Sequence, residues 1–194
     1  MPRGEGEGAT VRKTAQRGDV IAALVRHGVS RTVAATLWTA AADLRRRTRR
    51  RGIEHAVTLD IADGRPVGRM LTGDASRTDL TPHLLAFQSG QGYVQLHTHP
   101  SSPSFSALDA RVLADHPAIR TMIAVGADGT WYVVSRQPDS DIGDRHALYD
   151  AFLNELIRLQ NAGALVSEIS HLVMEHVAAR HGLRYDRVTG LTDE

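Results

Sequence analysis

The spacing of apolar residues changes near Ile53, and this change constrains the fold more than any other feature of the sequence. Before it, apolar residues recur at helical spacing in two segments, residues 19–28 and 30–50, which predict a pair of helices. Residues 53–61 instead alternate apolar with polar side chains, which predicts a strand with one buried face. A chain that makes this transition is expected to pack helices against a sheet.

The remainder of the chain continues this mixture of patterns. Residues 145–182 predict two helices that are broken near Gly163. We therefore expect an α/β fold, a mixed sheet with packed helices, in which residues 53–136 form the core. Residues 1–52 would be a flexible basic segment followed by a helical hairpin, and residues 137–194 would add C-terminal helices. The predicted core elements are strands at 54–61, 66–71, 93–97, 119–125 and 131–135, with helices at 81–87 and 106–115.

Composition excludes several classes of protein and of site. Cysteine is absent, so the chain has no disulfide framework, thiolate nucleophile or cysteine zinc site, and any metal must be bound by histidine and carboxylate side chains. No segment approaches the roughly 20 apolar residues that span a bilayer. The N-terminus also lacks the apolar region of a secretory signal. We therefore expect a cytoplasmic protein without a membrane partner.

Charge is distributed unevenly along the chain. Residues 1–52 carry 12 Lys/Arg against 4 Asp/Glu, a net charge of +8, whereas the remainder carries a net charge of −7. Six of these arginines fall within residues 45–51, where they suit the negative end of a helix dipole. A solvated helix end is the favoured interpretation, and binding of nucleic acid is the less favoured one.

The stretch HTHPSSPSFSALD, residues 97–109, carries the chemistry of this chain. His97 and His99 are two positions apart at the end of a predicted strand, so their side chains point to the same side and can reach one ion. A proline then ends the strand, and Asp109 falls in the first turn of a helix that begins at Ser106. Two imidazoles and one carboxylate are three ligands of a catalytic zinc site, whose fourth position holds water. Each half of the pattern is common without a function, but the combination indicates a metal site.

This stretch resembles the metal-binding motif of JAB/MPN (JAMM) domains, in which HxHP is followed by a short loop and by SxxD. That family also has an upstream glutamate on a strand, and Glu54 in EHAVTLD occupies the similar place, as in bacterial RadC-like members. Six residues separate His99 from Ser106, where the common family pattern has seven. Shorter loops are found in the bacterial and phage-associated branch. The resemblance covers residues 53–136 and implies a cytidine-deaminase-like core.

The resemblance also implies a role for each side chain of the motif. His97, His99 and Asp109 would bind Zn²⁺, which lowers the pKa of its bound water to about 7. Glu54 would take a proton from that water as general base and deliver it to the leaving amine. Ser106 would donate a hydrogen bond to the oxyanion. The implied activity is that of a zinc metallopeptidase or isopeptidase acting on a polypeptide, such as a ubiquitin-like protein or its conjugate.

A non-catalytic interpretation also remains open. A RadC-like binding module would use the basic N-terminal segment to dock on nucleic acid or on an acidic protein, and its metal site would be structural. Salt dependence of nucleic-acid binding separates the two interpretations. The remaining histidines, among them His27, have no motif partner and predict no second site. The loops expected to set specificity, residues 72–80 and 88–92, carry no recognisable code, and no pattern indicates the oligomeric state.

Overall fold

A computed structural model describes residues 15–101, 103–143 and 146–189 of the chain. It confirms the α/β class, because six strands form one mixed sheet and helices pack on both of its faces. The predicted flexible N-terminus, residues 1–14, lies outside the described residues. The helices are α1 Arg17–Arg26, α2 Arg31–Arg51, α3 Thr81–Leu84, α4 Ala107–Asp115, α5 Ala147–Asn161 and α6 Ile169–Arg180. The strands are β1 His55–Asp60, β2 Leu71–Thr72, β3 Tyr93–His99, β4 Ile119–Gly126, β5 Trp131–Ser135 and β6 Arg184–Val188.

The sheet has the strand order β2-β1-β3-β4-β5-β6, which places β3 near its centre. β3 and β4 run parallel and are connected through α4, whereas every other neighbouring pair is antiparallel. In the pairing of β1 with β3, Ala56 lies opposite His97. The beginning of β1 and the end of β3 therefore meet at one end of the sheet, from which the chain also leaves for α4. Ligand sites of α/β proteins commonly form at this kind of position.

The hairpin of α1 and α2 covers one face of the sheet. Ser30 caps α2 by accepting a hydrogen bond from the Val33 amide at 3.3 Å, and Gly52 ends the helix with a φ of 66°. The apolar side of each helix is buried against alternate residues of β3, β4 and β5. Across the described parts of the chain, no helix is both long enough and apolar enough to cross a membrane. The side chains buried on this face include Val20, Leu24, Leu37, Leu44, Val94, Leu96, Ile123 and Val133.

The opposite face of the sheet is covered by α4, α5 and α6. A capping box begins α4, with Ser106 at its N-cap and Asp109 in its first turn. Phe105, which precedes the cap, is 1% exposed and anchors the connection between β3 and α4 in the core. The other buried side chains of this layer include Leu113, Met122, Ala124, Val134, Leu148, Phe152, Val173 and Val177. This layer opens at the end of β3, where the motif residues lie.

The prediction of a strand over residues 66–71 is wrong in its bounds. Pairing is limited to the two-residue β2, Leu71–Thr72, and to a single bridge between Pro66 and Leu59. Pro66 has no amide hydrogen to donate, and Gly68 takes a φ of 74°, so the segment does not continue a ladder.

β1 departs from its predicted burial. The alternation predicts one buried face, yet side chains on both faces of this strand are buried. Leu59 packs against the α1–α2 hairpin, and Thr58 on the other face lies 3.0 Å from Nδ1 of the buried His83 in α3. A polar side chain can therefore be buried here, because α3 supplies a hydrogen-bond partner.

Two further differences concern the ends of strands. β3 extends to His99, two residues beyond its predicted end, because its parallel pairing with β4 continues as far as Gly126. β6 was not predicted, since the sequence RYDRV holds only two apolar residues and most of its side chains are partly exposed. It pairs with β5 at the edge of the sheet.

Candidate metal centre

Two histidines project from the end of β3 into the layer that contains α4. Thr98 lies between them and points the other way, where its hydroxyl is 2.6 Å from that of Thr48 in α2. The imidazoles of His97 and His99 therefore share the face opposite the helical hairpin, with ring centroids 4.6 Å apart. Both residues are buried, at 4% and 5% exposure. Their shared strand fixes them side by side.

Asp109 reaches the histidines from the first turn of α4. Its Oδ2 accepts hydrogen bonds from the Ser106 amide at 2.8 Å and from the Ser106 hydroxyl at 2.7 Å. Its Oδ1 lies 3.5 Å from His97 Nε2, and its Oδ2 lies 3.8 Å from His99 Nε2. The capping box therefore orients the carboxylate toward both imidazoles, in addition to starting the helix.

The second nitrogen of each imidazole has a partner that sets the direction of the ring. His99 Nδ1 donates to the backbone carbonyl of Pro103 at 3.1 Å, since a carbonyl oxygen only accepts. His97 Nδ1 lies 2.9 Å from Gln95 Oε1 and donates to it in the same way. Both Nε2 atoms therefore carry the lone pair and face Asp109. Such partners of the distal nitrogen accompany metal-binding histidines in general.

The donor set fits a metal ion. His97, His99 and Asp109 each offer one ligand atom, and these atoms lie within 4.8 Å of one another. His97 Nε2 is buried and has no hydrogen-bond partner among the residues described. Leaving such an atom unpaired costs about 1–3 kcal/mol, which coordination to an ion would offset. Two imidazoles and a carboxylate suit zinc and other first-row transition metals.

The pKa shifts of His97 and Asp109 favour coordination. Burial lowers the pKa of His97 to about 4, although attraction to Asp109 opposes this effect. Burial acts against ionisation of Asp109, but the attraction of both histidines and the hydrogen bonds from Ser106 lower its pKa below the ordinary value. Metal ions bind neutral imidazole and ionised carboxylate, so these are the competent forms at neutral pH.

Glu54 approaches the cluster from the residue before β1. Its amide donates to Asp74 O at 2.7 Å, and its carbonyl accepts from the Gly73 amide at 2.9 Å, so the backbone is held on both sides. Its Oε1 is 3.6 Å from His99 Nε2. Burial raises the pKa of Glu54 to about 7, and the negative charges of Asp109 and Asp74 act in the same direction, while His99 opposes them. A carboxyl group with this pKa can accept and return a proton near neutral pH.

Ser106 lies at the rim of the same cluster, but its hydroxyl is engaged. The hydroxyl donates to Asp109 Oδ2 and accepts from the Asp109 amide at 3.2 Å. Serving an oxyanion would therefore require the hydroxyl to turn away from the carboxylate. Ser106 is exposed, which leaves room for this rotation.

A cleft of about 520 Å³ opens onto the cluster between α3, α4 and the loop before α3. A second cavity of about 370 Å³ lies toward α5 and meets the same centre. The walls common to both include Glu54, His99 and Ser106. The metal centre is therefore accessible from two sides.

Two residues beyond the predicted set contribute to the centre. Gln95 is 1% exposed and fixes the ring of His97, and the carbonyl of Pro103 does the same for His99. Period-two spacing could have identified Gln95, because it precedes His97 by two positions on the same strand face. No sequence signal marks the Pro103 carbonyl, whose position depends on how the loop folds back.

All five predicted side chains line one cleft: Glu54, His97, His99, Ser106 and Asp109. Comparisons with protein families, with curated proteins and with solved structures find no match for this chain. The resemblance to JAB/MPN domains therefore rests on the motif residues, and the choice of metal and of reaction rests on the chemistry of the centre.

Proposed function

We propose that this chain is a zinc-dependent hydrolase of the JAB/MPN type that cleaves a peptide or isopeptide bond. The observation that carries the proposal is the position of Glu54, whose carboxyl group lies 3.6 Å from His99 in the cleft that His97 and Asp109 also line. A metal triad by itself suits a structural ion equally well. A buried carboxyl group with a pKa raised to about 7 beside that triad is suited to act as a general base.

The chain's own residues divide the work of hydrolysis among them. His97, His99 and Asp109 would hold the ion, which supplies Lewis acidity and a bound water with a pKa of about 7. Glu54 takes a proton from the attacking water and returns it to the leaving amine, a transfer worth typically 10²–10⁴-fold in rate. The Ser106 hydroxyl, once turned from Asp109, donates to the oxyanion of the substrate carbonyl.

A polypeptide is the substrate class that best suits this centre. The cleft of about 520 Å³ and the cavity of about 370 Å³ meet at the cluster, so an extended chain can lie across it with residues on both sides. A flexible C-terminal tail, such as that of a ubiquitin-like protein, would fit this geometry. Because the centre is buried at the end of β3, a compact folded segment would not reach it.

Replacement of one carboxyl group tests the proposal. Glu54→Gln keeps the size of the side chain and removes the proton acceptor, and Glu54 is not among the three grouped ligands. We expect the variant to retain about one zinc per chain and to lose at least about 10²-fold in the hydrolysis of unstructured polypeptides. Zinc would be measured by elemental analysis, and hydrolysis by mass spectrometry of the products.

Glu175→Gln provides the matched control, because Glu175 is an exposed residue of α6. It makes the same chemical change away from the cleft, and we expect wild-type zinc content and rate. Equal rates for wild type and Glu54→Gln would refute the assigned base. The absence of zinc-dependent hydrolysis from all three proteins would refute the hydrolase.

A second candidate function rests on the end of α2. Asp43 pairs with Arg46 at 2.9 Å and with Arg47 at 2.8 Å, whereas the three arginines at residues 49–51 are exposed. This group of like charges could bind an acidic protein or the phosphates of nucleic acid. Duplex DNA is the simplest probe, and the triple change to alanine at residues 49–51 is the matching variant. A DNA-binding module would lose affinity steeply with salt, and the variant's salt slope would be smaller by up to about 3.

A further inference from the structure

The two cavities beside the metal centre differ in chemistry. Beyond the centre itself, the larger cleft carries two charges of each sign on its wall: Arg77, Asp79, Arg111 and Asp115. Beyond the centre itself, the smaller cavity has no charged side chain on its wall, which combines four serines with Ala75, Pro103, Phe105, Ala107, Phe152 and Leu156. A substrate chain that crosses the centre would therefore meet a polar environment on one side and an apolar one on the other.

Helix α5 supplies the far wall of the apolar cavity. Phe152 and Leu156 are four residues apart, so they lie on one side of the helix, one above the other. Phe152 is 2% exposed and belongs to the core, whereas Leu156 is only partly buried. Ile157, the next residue, is 54% exposed and does not line this cavity. Leu156 is therefore the side chain of α5 that can change the cavity with the smallest effect on the core.

A rigid connection holds this cavity against the metal centre. The amide of the buried Ser104 donates to the Ser170 hydroxyl of α6 at 2.9 Å, and the Ser104 hydroxyl lies 2.8 Å from that of Tyr185 in β6. The next residue, Phe105, is 1% exposed and forms part of the wall. The cavity is thus tied to α6 and β6, which position it independently of any substrate.

We propose that this cavity selects substrates with one large apolar side chain, such as Leu, Met or Phe, directly beside the bond that is cleaved. The proposal rests on the proposed function and names the specificity of that site. A volume of about 370 Å³ has room for one such side chain, which would displace water from a mostly apolar wall. Selectivity over glycine or aspartate is set at roughly 10- to 100-fold by this burial. Leu156 is the specificity-determining residue.

Binding of hydroxamates to the zinc-loaded full chain tests the proposal without requiring turnover. The hydroxamate group chelates the metal, and its single amino acid X then enters a neighbouring cavity. Two series are needed, acetyl-X-NHOH with X on the acyl side and HONH-CO-CH₂-CO-X-NH₂ with X on the amine side. X is Gly, Asp, Leu or Phe, and dissociation constants are measured by isothermal titration calorimetry. We expect Leu and Phe to bind roughly 10- to 100-fold more tightly than Gly or Asp in one of the two series.

Three variants separate the cavity from the rest of the centre. Leu156→Arg should reduce the affinity for the Leu compound to that of the Gly compound. Ile157→Arg places the same charge on the exposed side of α5 and should keep the wild-type preference. Leu156→Ala, which introduces no charge, should enlarge the cavity and shift the preference from Leu toward Phe. This second change at the same position keeps the test valid if the arginine variant does not fold.

The outcomes separate the proposed specificity of the cavity from the proposed hydrolase function on which it rests. If no hydroxamate binds, including the Gly compounds, the metal centre and the proposed function fail together with the specificity. If all compounds bind with affinities within about threefold in both series, or if Leu156→Arg keeps the preference, the cavity does not select and only the present inference is overturned. Tight binding with the expected preference but without hydrolysis would support the cavity and count against the hydrolase.

Discussion

His27 and His97 are both buried beside a carboxylate, but only His97 belongs to the candidate metal centre. His27 and His97 are each 4% exposed, and burial lowers the pKa of each to about 4. His27 Nε2 is 3.3 Å from Asp186, and His97 Nε2 is 3.5 Å from Asp109. Burial, pKa and carboxylate distance therefore do not separate the two environments.

The surroundings of the carboxylates separate them. Asp186 is bound by Arg26 at 2.8 Å, so its charge is already neutralised. His27 Nδ1 is 2.8 Å from the hydroxyl of Ser135, which also accepts from Gln137 at 3.1 Å. Ser135, His27 and Asp186 form the His27 cluster, and these are the three residue types of a hydrolase triad. Ser135 is only 1% exposed, however, so a substrate cannot reach it. This cluster joins α1 to β5 and β6.

The His97 cluster, which consists of His97, His99 and Asp109, differs in that its possible ligand atoms lie within 4.8 Å of one another. Within the described residues, Asp109 accepts hydrogen bonds from Ser106 and forms no ion pair with an arginine. A second imidazole, that of His99, faces the same carboxylate. A cleft of about 520 Å³ leads to it. A buried histidine beside a carboxylate therefore does not by itself indicate a metal site. What indicates one is that several possible ligand atoms meet beside an accessible cleft.

The largest expected effect is the loss of bound zinc when the carboxylate of the His97 cluster is neutralised, compared with the same change in the His27 cluster. Asp109→Asn removes an anionic ligand, and we expect zinc content to fall from about one to less than about 0.1 per chain. Asp186→Asn makes the same change beside His27, and we expect the full zinc content with a lower free energy of unfolding. Elemental analysis after gel filtration and urea unfolding of both variants are the measurements. Zinc loss from both variants, or from neither, would remove the distinction between the clusters.

The local geometry of the candidate metal centre could be predicted from the sequence. The HxH pair at the end of a strand requires only the two-residue period, and the Ser106–Asp109 spacing requires only the first turn of a helix. Both features depend on residues that are close in the chain. The same holds for the α/β class, which follows from the periods of the apolar residues.

The remaining parts depend on contacts between distant segments. Glu54 reaches the histidines because Ala56 pairs with His97 across two antiparallel strands, and no local pattern specifies that register. β6 was missed because an edge strand needs few apolar residues. The apolar cavity requires α5 to pack beside the loop after β3, which is a tertiary arrangement.

Acid should destabilise the protein through His27 irrespective of metal. The folded pKa is about 4 and the unfolded one is 6.5, so the unfolded chain binds more protons between these values. The stability due to neutral His27 is therefore complete above pH 6.5, falls as pH decreases toward 4, and amounts to about 3 kcal/mol. Burial is the main cause of the lowered pKa. The value of about 4 already includes the attraction to Asp186, which raises the pKa, and the repulsion by Arg26 and Arg184, which lowers it.

Urea unfolding of wild type and His27→Gln in EDTA at pH 7 and pH 4.5 measures this contribution. Glutamine keeps a hydrogen-bonding group beside Ser135 but does not titrate in this range. We expect the wild type to lose about 2 kcal/mol more than the variant between the two pH values, because pH 4.5 is still above the folded pKa and the full contribution is lost only below pH 4. Equal losses would mean that folding does not lower the pKa of His27. Added zinc should steepen the acid dependence of both proteins equally, because it acts at the other cluster.

The smallest of the expected effects concerns Gln95, which tests whether the metal centre is held in place by its own hydrogen bonds. Gln95→Leu retains a side chain of similar size and removes the acceptor 2.9 Å from His97 Nδ1. Loss of such a partner lowers metal affinity by about 10- to 100-fold, because the ring and its tautomer are no longer fixed. Zinc affinity would be measured by competition with a chromophoric chelator.

Thr121→Val is the matched control in the other cluster. The buried Thr121 hydroxyl donates to His27 O at 3.1 Å, so its loss also removes one buried hydrogen bond on the neighbouring strand β4. We expect this variant to lose about 1–3 kcal/mol of stability and to bind zinc as tightly as wild type. If Gln95→Leu also leaves zinc affinity unchanged, the hydrogen bond to His97 is only structural. The ligands would then be oriented by the strand and the capping box alone, and the two clusters would differ in access to the cleft but not in how their imidazoles are held.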